Sequence, residues 1–409
     1  MFNTTINSLV LTRIYSSPFF NGDQSKLSLK HSSFSFFTGK IFSQVLSLDI
    51  QETSFQHILN NVIKISSITE KSKDLSGLDR IVMKDSDTRE TITIKKCYFH
   101  DVICSSSGAC ISYHQESAHS DVIIYDSYFR GIYTSYYGGV VYAPKIYALW
   151  THNNCFDDCS AAKGGHIFDV RSSRYEAEVN KSATVYAGMK SKTASLYTIN
   201  LLNGRQILVY YVNISQTTSL PNSIDTITGV SLQCNYRMWI TNTYFLNCSD
   251  GILIKTDLSK NPSTAFDRII ACGNIATQGP FLLPMNGAHF FYRLYFRENK
   301  GIVFTRYPYG DAGLYVSKSY FDFPQPLDDD YSIWISFDKC HFNTLEKTPN
   351  YYAIHSGNCE SSATSDKILL IILLCTIIPG SFILIGVIFC IVFCAFHDCC
   401  DCCRCCCDC

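Results

Sequence analysis

Apolar positions in this chain recur at fixed offsets from a closing aromatic. Leu48, Ile50 and Thr53 stand seven, five and two residues before Phe55, and Ile92, Ile94 and Cys97 stand likewise before Phe99. The phrase closes at Phe34, Phe55, Phe99, Phe129, Phe156, Ile214, Phe245, Phe296, Phe321 and Phe342, in steps of 21, 44, 30, 27, 58, 31, 51, 25 and 21 residues. Two apolar residues separated by one position follow the period of a strand, with the residue between them facing the other way. The small polar residue (Ser32, Thr53, Cys97, Ser127, Asn154, Thr243, Ser319, Cys340) and the aromatic then return to the interior after a turn. After a variable stretch comes glycine followed by a hydrophobic triplet, as in Gly139-Val140-Val141-Tyr142, Gly251-Ile252-Leu253-Ile254 and Gly301-Ile302-Val303-Phe304.

Short strands and turns repeating every 21 to 31 residues describe stacked coils. The expected fold is all-β, a right-handed parallel β-helix followed by one transmembrane helix. The three long steps are about twice the short ones, so each is expected to hide one drifted copy, for about thirteen coils in all. Residues 171–205 fit the phrase poorly and are expected to project as a loop. No copy has the Leu-x-x-Leu-x-Leu-x-x-Asn pattern of a leucine-rich repeat.

Phe296-x-x-Asn299 followed by Gly301-Ile302, and the pairs Gly138-Gly139 and Gly164-Gly165, carry a family resemblance. The phrase resembles the β-helices of the pectin-lyase-like superfamily. More narrowly it is similar to repeats of bacterial polymorphic outer-membrane proteins and to β-helix surface proteins of parasitic protists. The likeness covers roughly residues 25–350. It implies a fold and a surface location, and little about chemistry, because one fold hosts lyases, hydrolases, adhesins and passive stalks.

The stretch Ile368 to Phe396 is 29 residues long, apolar and uncharged, more than the roughly 20 needed to cross a bilayer core. The expected organisation is therefore 1–24 as a cap or atypical leader, 25–357 as the β-helix, 358–367 as a linker, 368–396 as the membrane span and 397–409 as a cysteine-rich tail. Lys367 and Arg404 barely bias the orientation. Met1 to Phe20 contains no uninterrupted apolar stretch of signal-peptide length. Four sequons, at Asn3, Asn180, Asn213 and Asn247, favour a rod outside the cell, glycosylated, with the tail in the cytoplasm. The expected address is the plasma membrane, and the expected partners are the bilayer and a glycan or protein on a host or neighbouring cell.

Cysteine divides at the membrane span: ten of the 21 precede it. Cys104 with Cys110, and Cys155 with Cys159, are candidates for local disulfides. Cys394, Cys399, Cys400, Cys402 and Cys403 beside the membrane exit are candidates for S-acylation. The tail thiols with His397 offer zinc or copper(I) binding as a second chemistry.

A formal net charge of −1 supplies no basic field, so no nucleic-acid partner is expected. Enzymes on this fold use converging carboxylates with histidine or a basic residue. Asp157-Asp158, Gly164-Gly165-His166 and Asp328-Asp329-Asp330 occur only as single hits, so no catalytic, cofactor-binding or metal residue is assigned in the rod. The expected function is an adhesin-like or structural surface protein. A membrane-tethered polysaccharide lyase or hydrolase is the alternative. Tyr125, Trp150, Trp239 and Tyr315 fall where side chains face outward, positions that either stabilise a sheet or stack sugars.

Overall fold

A computed structural model describes residues 2–344, apart from 16–19, 22–24, 44–46, 67–89, 115–119, 172, 186, 188–196, 219–226, 250, 259–261, 305–311 and 325–334. The chain divides into two units, Met1–Cys359 and Glu360–Cys409. The second lies outside the described residues, as do the expected span 368–396 and the tail. Among the described residues no helix is long and apolar enough to cross a membrane.

The described chain is a parallel β-helix whose strands stack on three faces. The first face begins with Phe2–Asn7 and Ser25–Lys30 and ends with Ala312–Ser317 and Ile335–Asp338. The second includes Ser33–Phe37, Ser54–Ile58, Tyr98–Cys104 and Tyr128–Arg130. The third includes Ile63–Ser66, Ile111–His114, Val141–Ala143 and Phe168–Val170. Pairing is parallel throughout and in register with the repeat, so Leu48, Ile92, Val122 and Leu149 form one buried column. The first strands, Phe2–Asn7 and Val10–Thr12, already stack on Ser25–Lys30 and Ser33–Phe37.

Closing aromatics form the spine of the core. Phe34, Phe55, Phe99, Phe129 and Phe156 stack at centroid spacings of 5.3, 4.8, 4.8 and 5.2 Å, all but fully buried. Identical rings at the strand repeat present parallel faces to one another, a close-packed arrangement.

Sharp corners require a left-handed backbone. The residue before each small polar one has positive φ: His31 (48°), Glu52 (47°), Lys96 (52°), Asp126 (49°), Asn153 (55°) and Lys181 (42°). Such a turn leaves the amide N–H of the small polar position outside the strand ladder, buried or half-buried, where it needs an acceptor. The small polar row of the next coil supplies it: Ser32, Ser127, Asn154 and Ser319 accept from the amides of Leu9, Cys97, Ser127 and Leu294 at 2.9–3.1 Å. Ser32, Thr53, Ser127, Ser182 and Ser319 each donate a hydroxyl to the carbonyl two residues back at 2.7–2.9 Å. Ser127 Oγ also accepts from Cys97 N at 3.1 Å, and Asn154 Oδ1 accepts from Ser127 N at 2.9 Å, which ties consecutive coils together. Where Cys97 and Cys340 occupy the row, the thiols donate to the same class of carbonyl. At the second corner Asn274 and Asn299 do equivalent work, their amides donating to the carbonyls of Phe245 and Ala271.

Third-face strands begin on close backbone contact. Gly138 turns with φ of 62°, and a Cβ on Gly139 would lie 2.0 Å from the His166 carbonyl oxygen. Only glycine permits both.

Four expectations are corrected. The step from Phe55 to Phe99 hides no coil, because Ser54–Ile58 pairs directly with Tyr98–Cys104. Ala312–Ser317 and Ile335–Asp338 have no third-face strand after them among the described residues, so closed turns are fewer than the thirteen expected. Residues 173–185 are rod and not projecting loop: Ala177, Val179, Ser182 and Thr184 are a drifted copy of the phrase, stacked between neighbouring coils. Cys104 and Cys110 are free buried thiols, and Cys159 keeps a thiol that donates to the carbonyls of Phe129 and Asp157. Neither short bridge therefore forms, while Cys155 is disulfide-bonded.

Two histidines are enclosed. His166 accepts from Ala161 N through Nδ1 at 3.1 Å, and His289 lies between Thr256 Oγ1 at 3.1 Å and the Asn286 carbonyl at 2.9 Å. Burial, only partly opposed by nearby backbone, lowers each from 6.5 to about 4.

Two outcomes follow. Ser127→Ala leaves the Cys97 amide without its acceptor in the interior, while the Tyr125 carbonyl keeps the Lys96 N–H, and is expected to cost about 1–3 kcal/mol by chemical denaturation; Ser127→Cys, which the row tolerates elsewhere, costs less. Between pH 6.5 and 4 the folded histidines bind fewer protons than the unfolded ones. Their stabilisation is therefore complete above pH 6.5 and is lost on acidification, on the order of 3 kcal/mol each. His289→Gln should shrink the stability difference between pH 7 and pH 4 by that order, measured in the same way.

Candidate functional site

Outward side chains on the first face follow the same registers as the core, one residue out of phase. Strands Ser120–Tyr125, Ile146–His152, Ser173–Asn180, Ile199–Tyr210 and Ile227–Leu246 lie side by side there. One outward row reads Ile123, Trp150, Glu178, Leu208, Trp239, and a second reads Tyr125, His152, Asn180, Tyr210, Thr241. A third contains Ala148, Glu176, Gln206 and Arg237. Alternation along each strand and register between strands thus place four aromatics, two carboxylates, a histidine and an arginine on one lattice. Rows advance by about 4.8 Å per coil, so the Trp150 and Trp239 positions are roughly 14 Å apart.

The polar members hold one another. Trp150 Nε1 donates to Glu176 Oε2 at 3.4 Å. Glu178 Oε1 accepts from Asn180 Nδ2 at 3.3 Å and from the Tyr210 hydroxyl. Asn180 Nδ2 also lies 3.0 Å from His152 Nδ1, and the His152 ring meets Tyr125 edge-on at 6.2 Å. The Arg237 guanidinium sits over the Trp239 ring at 3.4 Å, a close cation–π contact. Trp239 is 37% exposed, enough to offer ring surface to a ligand.

Burial raises the proton affinity of Glu176; the charge of Glu178 adds to this, while Trp150 and Arg237 oppose it. Burial and then Glu178 likewise push the Tyr125 and Tyr210 phenols up. The lattice is therefore a semi-dry carboxylate pair between aromatic rings, with neutral donors at its edge. Such a surface can stack an apolar ring face and bind hydroxyls.

A second polar cluster lies on the third face. Asp169 accepts from Asn200 Nδ2 at 2.9 Å and Arg171 Nη2 at 3.3 Å, and Arg171 covers Tyr137 at 4.3 Å. Burial raises Asp169, outweighing these partners. Its side chain is fully enclosed, so no ligand reaches the carboxylate in this conformation. A cleft of about 240 Å³ lined by Asn299, Gly301, Ile302, Val303, Phe304, Phe323 and Pro324 carries no ionisable side chain.

The sequence-derived candidates disperse. Asn180 is 8% exposed with its amide engaged inside the lattice, a poor sugar acceptor in the folded chain. Asn213 is half-buried and Asn247 is exposed at a left-handed corner. Asn3 lies in the first strand, its side chain outside the described set. Cys394, Cys399, Cys400, Cys402 and Cys403 lie outside the described residues, as do Asp328 to Asp330. Asp157 is paired with Arg130 at 3.5 Å and accepts from Tyr128. Of the outward aromatics, Tyr125, Trp150 and Trp239 converge, whereas Tyr315 is elsewhere, stacked on Phe290 at 4.9 Å. Sequence reasoning missed Glu176, Glu178, His152, Tyr210 and Arg237. The signal for the first two was strict alternation in Glu176-Ala177-Glu178-Val179-Asn180, obscured by alanine in the aliphatic row. Among the described residues His57, His100 and Asp101 also gather, away from this lattice.

No protein-family model matches the chain, and no curated protein matches it.

Proposed function

We propose that this chain is a non-catalytic, membrane-tethered recognition rod that binds a carbohydrate chain across the first-face lattice. The observation that carries the reading is the in-register placement of Trp150 and Trp239 around Glu178, His152 and Asn180. Flat rings at both ends of a roughly 14 Å track suit an extended glycan better than a single sugar. Residues 368–396 serve as the single span, long and apolar enough for the purpose. The rod stands outside the cell and is adhesin-like, and Cys394, Cys399, Cys400, Cys402 and Cys403 are acylated at the inner leaflet. Sequons in the rod and the resemblance to surface β-helix proteins support that orientation.

A second reading, a membrane-tethered carbohydrate-active enzyme, is favoured by one observation. Glu176 has a raised proton affinity two residues from Glu178 on the same face, as an acid beside a base requires.

The test is a glycan array probed with the full-length protein, followed by affinity measurement on any hit. Trp239→Ala and Trp150→Ala should each weaken binding about tenfold, the effect of losing one ring contact, and Tyr315→Ala should leave it unchanged. Absence of any glycan ligand, or an unaffected Trp239→Ala variant, contradicts the proposal. Release of reducing ends from a bound glycan, abolished by Glu176→Gln with binding retained, would establish the enzyme instead.

A further inference from the structure

The second corner of the helix brings together two histidines and an aspartate that are far apart in sequence. Each follows a closing aromatic: His57 stands two residues after Phe55, and His100 and Asp101 stand one and two residues after Phe99. Because Phe55 and Phe99 are register partners, His57 and Asp101 occupy equivalent corners of adjacent coils. Both have left-handed backbones, with φ of 51° and 53°.

The ligand atoms converge. His57 Nδ1 is 3.4 Å and His100 Nδ1 is 3.6 Å from Asp101 Oδ2, and one ligand atom from each residue lies within 4.8 Å of the others. Zinc bonds of 2.0–2.2 Å at tetrahedral angles place neighbouring ligand atoms roughly 3.3–3.5 Å apart. The two histidine-to-aspartate separations therefore already match two edges of such a tetrahedron, and only the histidine-to-histidine edge must close.

The imidazoles are held for this. Phe36 stacks on His57 at 4.8 Å and 19°, and Tyr98 stacks on His100 at 5.8 Å and 21°. All three ligands come from backbone fixed in the stack, so little ordering is needed on binding. The side chains are 30–43% exposed, leaving the site open to solvent on one side. The neighbouring cation in register with His100, Arg130, is drawn to Asp157 at 3.5 Å.

We propose that His57, His100 and Asp101 bind one divalent ion of the zinc class, with a fourth position left for water or a donor from a partner. Two imidazoles and a carboxylate are a nitrogen-rich set that selects zinc over magnesium or calcium, which prefer oxygen. A ligand-deficient ion on the surface of a rod is also a point at which a partner's histidine or carboxylate can attach.

Tail thiolates would compete for zinc, so the measurement must be resolved by residue. Full-length protein is treated with diethyl pyrocarbonate over a zinc titration, and modification of each histidine is followed by mass spectrometry. His57 and His100 should be protected together with one midpoint. His31, which faces Glu52 at 2.9 Å with Lys96 beyond it, is the internal control and should stay reactive. Magnesium should protect none of them. Asp101→Asn, which suits a left-handed position and preserves the corner, should raise the midpoint roughly 10–100-fold. Unchanged reactivity of His57 and His100, protection of only one of them, or an unmoved midpoint in Asp101→Asn would overturn the proposal.

Discussion

The stack depends on the amide that a left-handed corner leaves outside the strand ladder, met by a side chain of the coil stacked on it. A coil that turns this sharply cannot pair all its backbone within a flat ladder, and an unmet buried group costs about 1–3 kcal/mol. The residues two positions before the aromatic answer that demand. Ser32, Ser127 and Ser319 accept that amide with hydroxyls and Asn154 with its amide oxygen, while Thr53, Ser182, Cys97 and Cys340 add a second donor to a carbonyl that a backbone N–H already meets. Once those amides are met, aliphatic and aromatic columns close over them, and each outward side chain is fixed by the same register that fixes the core.

Equivalent corner positions also hold the cysteines of the rod. Cys97, Cys159, Cys248 and Cys340 each donate to a corner carbonyl, standing where other coils use serine, threonine or asparagine. Burial pushes the Cys97 thiol up to about 12, which leaves it inert as a nucleophile or metal ligand. The expectation of short disulfides treated close spacing as proximity. Cys104 and Cys110 instead bracket a corner between two faces, and both point inward as packing residues.

The fold was legible because the core repeats: three inward rows at fixed offsets specify strand, corner and stack together. What drifted was illegible for a physical reason. In the copy at 177–184, Ala177 and Thr184 replace a larger aliphatic residue and phenylalanine, so no hydrophobic signal marks the coil, although register holds it in place. The reverse error arose between Phe55 and Phe99, where length alone suggested a coil that the direct stacking of the rings excludes. Site residues were harder still, because outward positions carry no repeat of their own. The candidate lattice draws Glu176, Glu178 and Asn180 from the drifted copy. His57, His100 and Asp101 become neighbours only when the phrases are aligned by their closing aromatics.

The account depends on the strand Ser173–Asn180 being as firmly part of the stack as its neighbours, since it carries the carboxylates at the centre of the lattice. Amide hydrogen exchange read by mass spectrometry on the full-length protein tests this most directly. The account predicts that peptides covering 173–185 are protected to the same degree as those covering 146–157 and 206–215, in keeping with the ladder in which Asn153 N donates to the Asn180 carbonyl and Lys181 N to that of Tyr210. Exchange at the rate of an unprotected loop across 173–185, with the flanking strands protected, would contradict it.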